Sequence, residues 1–353
     1  MKHRAFPGSG PEIEARYQRA GQWILATIFA RDNALAWCKA NGVRITRAAD
    51  ETINSSGGFL VPNELARAIL DIRDYYGAFR RRARVVTMAS DATHVPRHTG
   101  GPTAFFTAQN NTVSAGTLSL DTVALSTKKI GTLVQLSSEL EEDSIDEIVD
   151  FVANQVAWAF AAKEDDCAFN GDGTSTYGGM TGICTWALDG NHGKAKVTAA
   201  SSHNTFLTLD TTDLGSLVSA IEAAAVPRAA WFCSQTAFAQ TFCRLSSGAG
   251  GGYLDTRDVD GIPTPHYLGF PVVLTQKLPL ISTTLSGKVM MAFGDMYSGA
   301  VLGQRRAITI ARSPERYLDS DQIAILGTER FDIAIHSMGD NTNVGMLAAL
   351  VAP

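Results

Sequence analysis

The longest apolar periodicity in the chain lies between Ser144 and Asn170. Ile145, Ile148, Val149, Val152, Val156, Ala159 and Phe160 recur there at three- and four-residue spacing, a single stripe that predicts an α-helix. Ser144 with Glu147 three residues on has the spacing of a capping box, and Asp143, Asp146 and Glu147 set negative charge at the positive end of the helix dipole. Gly171 is positioned to end the helix. At about 1.5 Å per residue it would be about 39 Å long, more than twice the usual length. Trp158 and the run Ala157, Ala159, Ala161, Ala162 predict that a sheet or second helix also packs closely on its opposite side.

The rest of the chain falls around this beam. Residues 11–41 read as a helix opened by Pro11 and ended near Gly42, and 43–60 lose periodicity in Asn, Ser and Gly. Leu65, Ile69, Ile72 and Tyr76 predict a helix over 63–79, followed by a strand over 85–95. Leu118, Leu120, Val123 and Leu125 then alternate, beyond a polar, glycine-rich stretch from His98 to Gly116. This is the pattern of a protruding hairpin, and a two-stranded hairpin needs a partner surface. After the beam come a glycine-rich loop, a strand over 184–188, and from 205 to 330 an alternation of helices and strands. The helices are expected at 214–225 and 236–245. The strands are expected at 229–233, 269–275, 289–293 and 307–311, with a flexible loop over 246–252. Such alternation predicts an α/β unit around a central sheet, with 323–335 as a final strand returning to the first domain.

At 353 residues there is room for two domains, and 45% hydrophobic residues with a mean hydropathy near zero describe a globular chain with a large core. Charged residues make up only 18%, which is thin for a solitary surface and points to faces covered by other copies. A net charge of -5 argues against a protein built mainly to grip nucleic acid. Arg80, Arg81, Arg82 and Arg84 are a local exception, for which pairing with carboxylates of this chain or a neighbour is a better account than phosphate contact. Five scattered cysteines without a C-x-x-C pair indicate a reducing compartment. The first residues lack the apolar core of a signal peptide, and no uncharged apolar run reaches the ~18 residues of a membrane span.

Chemical motifs are sparse. The glycines at 171–179 follow a helix rather than precede one, Gly193-Lys194 and Gly287-Lys288 are not followed by Ser or Thr, and Gly248 to Gly252 lack a dinucleotide fingerprint. His94 and His98 have a zinc-like spacing but no cysteine pair, and a solvated loop accounts for them. His336, Ser337 and Asp340 are close in sequence, without a G-x-S-x-G elbow anywhere. Glu139, Glu141, Glu142 and Asp143 fit a solvated, dipole-favoured helix start better than acid-base chemistry. No catalytic, cofactor-binding or metal-binding residue is therefore expected, and no cofactor.

The order of segments, with Gly57 to Glu64 (GGFLVPNE), Leu136 to Ser144 (LSSELEEDS), Glu164 to Thr174 (EDDCAFNGDGT) and more weakly Gly269 to Val273 (GFPVV), resembles the major capsid proteins of tailed phages with the Hong Kong 97 fold. The resemblance covers about residues 55–336. It implies an α+β fold with an amino-terminal helix and arm (1–60), a peripheral domain (61–91, 129–204) with the spine helix at 144–170, an extended loop hairpin (92–128), an axial domain (205–320) and a return to the peripheral domain (321–353). The implied function is structural: hexamers and pentamers of an icosahedral shell around double-stranded DNA, held by non-specific contact, with no membrane. The implied location is the virion, after assembly in the host bacterial cytoplasm, with portal, scaffold or cement proteins as further partners. Some members of the family join a lysine on the extended loop to a neighbour's asparagine, but residues 92–127 contain no lysine and Lys128 and Lys129 stand at the base, so no cross-link is expected. The short leading segment predicts an uncleaved arm that braces the shell, with a separate scaffold or none. The alternative within the fold is an encapsulin-like compartment subunit. A distant one is a soluble α/β hydrolase.

Overall fold

A computed structural model of the protein describes residues 22, 26, 32–42, 77–100, 106, 119–137, 145–248, 254–259, 262–280, 285–320 and 322–353. The capping box at Ser144, the helix at 63–79 up to residue 76, most of the helix at 11–41 and the acidic run 139–143 lie outside these residues. The described part of the amino-terminal helix is α1, Asp32–Ala40, which buries Leu35 and Cys38.

The predicted beam is present as α2, Ile145–Asn170. From Val156 onward its buried residues are Val156, Ala157, Phe160, Ala161, Glu164, Asp165, Cys167, Ala168 and Phe169, a stripe at three- and four-residue spacing widened by one column. The expectation that its opposite flank is packed is not met: Trp158 is 48% exposed. Ala157 and Ala161 adjoin Val156 and Phe160 and simply broaden the one buried face.

That face lies on a four-stranded sheet of order β1-β11-β12-β4, made of Arg84–Thr87, Ala300–Tyr317, Gln322–Ile335 and Lys128–Ser137. β1 runs parallel to β11, and the other pairs are antiparallel. From Ile325 every second residue of β12 is buried, the alternation of a half-buried strand. Gly327 marks the crossing, since a Cβ there would come within 3.1 Å of Val156 and 3.3 Å of Phe160. A second sheet has seven strands in the order β5-β13-β10-β6-β9-β8-β7. In chain order they are Lys196–Thr198 (β5), Ala230–Cys233 (β6), Leu254–Val259 (β7), Ile262–Tyr267 (β8), Phe270–Leu274 (β9), Val289–Gly294 (β10) and Leu347–Val351 (β13). Every residue of β13 and β6 is buried, as expected for strands covered on both faces. One core, holding Phe79, Phe169, Phe232, Leu302, Phe331 and Leu347, joins the two sheets. The other, around Trp231, Phe242, Tyr267 and Phe293, covers the far face of the larger sheet.

Several predicted elements are redrawn. The strand expected over 85–95 is two, β1 and β2 (Ala92–Gly100), because Met88 turns inward and the two pieces enter different sheets. The strand expected at 184–188 is a helix, α3, Ile183–Leu188, with Ile183 and Ala187 buried one turn apart; so short an apolar run does not reveal its period. The helix expected at 214–225 is α4, Thr211–Ser219, followed by a 3₁₀ segment, Ala223–Arg228. It starts earlier because Asp210 and Asp213 form a reciprocal capping box. Residues 307–311 lie inside β11 of the smaller sheet, and 323–335 are followed by β13 in the larger one. The limits drawn at 204/205 and 320/321 thus cut across both sheets, which are assembled from segments distant in sequence.

Candidate functional site

The basic cluster and the beam meet in a buried knot of charge. Asp165 of α2 accepts the backbone N–H groups of Ala78 (3.0 Å) and Phe79 (2.9 Å), which ties the turn at 78–82 to the helix. Burial pushes the Asp165 carboxyl up to about 6, against the pull of those two donors. Arg80 grips Glu164 in a fork, Nε to Oε2 at 3.0 Å and Nη2 to Oε1 at 2.8 Å, and its Nη1 donates to Gln304 of β11 at 3.2 Å. Gln304 in turn donates to Glu329 of β12 at 2.9 Å, and Glu329 lies 3.7 Å from the guanidinium. Glu164 and Glu329 are each 1% exposed. One guanidinium therefore joins the turn, the helix and two strands. The expected intra-chain pairing holds for Arg80. Its partners were missed, although Glu164 stands four residues after Phe160 on the apolar stripe, and a carboxylate at a core position demands a cation.

The hairpin is present as β2 paired antiparallel with β3, Ser119–Ser126, from Ala92 opposite Ser126 to Gly100 opposite Ser119. Its base docks on its own chain. Met88, Val95, Leu125 and Val301 form a small core beneath it, and Asp332 of β12 accepts the Ser126 N–H. Arg97 bonds the His336 carbonyl and pairs with Asp121 at 2.7 Å, while Asp91 meets Arg305 and Arg330. The partner surface that the hairpin requires is thus supplied, at its base, within the chain. Farther out, Phe106 is fully exposed.

The residues with catalytic appearance do not converge. Asp340 closes its own turn by accepting the N–H groups of Thr342 and Asn343. The backbone of Ser337 bonds Gly299 and Met346, and His336 Nδ1 is buried with no partner. Burial, with Arg97 and Arg84 nearby, lowers the His336 pKa to about 4. His94 is exposed on β2, and the side chain of His98 lies outside the described residues. None of the five cysteines forms a disulfide, and burial pushes the Cys167 and Cys184 thiols up to about 11 and about 12, away from thiolate chemistry. One grouping had no sequence signal: His203, Asp210 and Asp213 lie within 4.8 Å of one another. Its carboxylates serve the start of α4, Asp210 accepting from Thr212 and Asp213, and Asp213 from Ala200, Asp210 and the His203 ring. A helix cap accounts for it. Among the described residues no helix is long and apolar enough to cross a membrane.

The described surface also carries scattered exposed apolar side chains: Trp158 on α2, Leu133 on β4, Val85 on β1 and Leu274 on β9.

A model of the phage capsid family matches residues 57–337. A curated major capsid protein of Klebsiella oxytoca phage phiKO2 is 26% identical over 127 residues, 36% of this chain, and the match spans 30% of that relative's length. Among solved structures, a chain from the capsid of an empty GTA particle superposes with a TM-score of 0.56 at 18% identity, covering 90% of this chain and 98% of its own. A chain from Mycobacterium phage Bobi does so at 0.55 and 16% identity, covering 89% and 97%. These two show the fold.

Proposed function

The chain belongs to the phage capsid family, and from that premise we propose that it is the major capsid protein of a tailed phage, a non-enzymatic subunit that self-assembles into an icosahedral shell around double-stranded DNA. The observation that carries the reading is the hairpin. Its base is clamped to the body by Asp332, Arg97 and a four-residue apolar core, which fixes the direction in which the two paired strands leave the body to meet a neighbouring subunit. In this reading α2 with the four-stranded sheet is the peripheral domain, and the seven-stranded sheet is the body of the axial domain. The knot around Arg80 keeps the subunit stiff enough for one geometry to be repeated in hexamers and pentamers. The exposed apolar side chains and the thin charge are interface, while contact with DNA is non-specific in a chain of net charge -5. Portal, scaffold or cement proteins are the further partners, and the mature location is the virion after assembly in the host cytoplasm.

The test is electron microscopy of the purified chain after a sizing column. Closed icosahedral particles of uniform size are expected, with nuclease-protected DNA when they are recovered from an infection. A small, discrete oligomer that stays soluble under every assembly condition would refute the reading.

A further inference from the structure

The knot uses Arg80, but its neighbours in the cluster are left over. Arg81 and Arg82 line a cavity of about 330 Å³ together with Arg228, Phe232, Asp295 and Tyr297. The Arg228 guanidinium lies 3.9 Å over the Tyr297 ring, and no carboxylate of the described residues pairs with any of the three arginines. Asp295 is the acid in the wall, and it is already engaged: its two oxygens accept the Tyr297 N–H at 3.0 Å and the Ser298 hydroxyl at 2.6 Å. Among the described residues, three cations thus face one anion whose oxygens are turned to other donors. Burial and the adjacent Arg81 lower the Arg82 pKa. Forked guanidiniums around a small cavity match the geometry of an oxyanion, a carboxylate above all.

We propose that this cavity is a carboxylate-binding site filled by acidic side chains of a second copy of the chain. The sequence contains a fitting donor. Between Lys129 and Lys163 there is no basic residue, and Glu139, Glu141, Glu142 and Asp143 crowd just before the start of α2. Within one chain the first described residue of α2 is far from this cavity. The 78–82 turn is fastened to α2 at Glu164 and Asp165, and Ile145 lies about 30 Å back along the helix axis. A beam with a basic cavity near one end and an acidic run before the other joins to its copies head to tail, and such a contact closes into a ring when the rotation fits. The proposal rests on the shell reading and names one contact within it. Phosphate of packaged DNA is the competing occupant.

The experiment compares full-length wild type with R81E/R82E, with E141R/E142R and with the four-residue combination, by particle yield on sedimentation and microscopy and by thermal unfolding of the unassembled chain. Each reversal is expected to lower the yield of closed particles on the order of tenfold while the chain stays folded, and the combination to restore most of it. Wild-type yield from R81E/R82E, or no recovery in the folded combination, overturns the proposal. So does a reversed chain that assembles normally but retains no DNA, since the site would then hold phosphate. Should R81E/R82E fail to fold, R228Q on the exposed far wall carries the test, with reduced yield supporting the site and wild-type yield overturning it. If wild type itself forms no particles, the shell reading falls and takes the site with it; loss confined to the compensation experiment strikes the site alone.

Discussion

Truncating Arg80 is the sharpest test of what holds the subunit together. In R80A the carboxylates of Glu164 and Glu329, each 1% exposed, lose the guanidinium that lies 2.8 Å from one and 3.7 Å from the other. Removing one member of a buried pair costs about 3–5 kcal/mol, because a charge is left without compensation in a poorly solvated place. Unfolding entropy of roughly 2.1 cal/mol/K per residue over 353 residues comes to about 0.7 kcal/mol/K, so the midpoint should fall by about 4–7 °C. Calorimetry on unassembled chains at neutral pH reads this directly. R80M, which keeps the apolar stem and drops the charge, should lose nearly as much, whereas R80K should lose less, since it keeps the charge without the fork. If R80A unfolds within about 1 kcal/mol of wild type, the knot is not what joins the turn at 78–82 to the helix and sheet, and the argument fails.

Two further perturbations have signs set by the structure. Leu268 has φ 52° in the two-residue turn between β8 and β9, with Gly269 at φ 84°, and it is 42% exposed; L268N, a residue suited to that turn, should stabilise by about 0.5–1 kcal/mol in urea unfolding, and a net loss would mean that the leucine packs more than it strains. His336 has its pKa depressed to about 4 from 6.5, so its contribution is complete above about 6.5 and lost as pH falls toward 4; Asp165, raised from 3.8 to about 6, acts oppositely, favouring the fold below about 3.8 and losing that contribution as pH rises through 6. Relative to wild type, H336Q should therefore gain on the order of 1 kcal/mol between pH 7 and 4.5, after discount for partial solvent access, and D165N should steepen the acid loss; parallel stability curves would refute both assignments.

The sequence made the beam, the hairpin and β12 legible because each carries recurring apolar positions: four turns of stripe in α2, Leu118, Leu120, Val123 and Leu125 on the returning limb, and Phe331, Ile333 and Ile335 in β12. It hid what depends on partners remote in the chain. Nothing local tells that β11 pairs with β1 more than 200 residues earlier, or that Leu347–Val351 sits between β5 and β10. The same limit governed the charge knot. Four arginines in five residues announced that carboxylates were needed, and Glu164 on the apolar stripe announced that a cation was needed. Only the topology brings position 80, rather than 81, 82 or 84, against it.

That selection bears on how such a subunit can be both rigid and sociable. A buried ion pair is a poor source of stability next to apolar packing, since desolvation offsets most of its attraction. It is, however, intolerant of displacement: shift the 78–82 turn by an ångström or two and the fork on Glu164, the Gln304 bridge and both Asp165 bonds degrade together. An apolar contact in the same place would slide at little cost. A shell needs the first behaviour inside each subunit, where small angular errors would add up around the lattice, and the second between subunits, where misplaced contacts must part and re-form. In the proposed shell the side chains follow that division: forked and bridged charges in the core junction, and separate exposed apolar residues such as Trp158 and Leu133 on the outside.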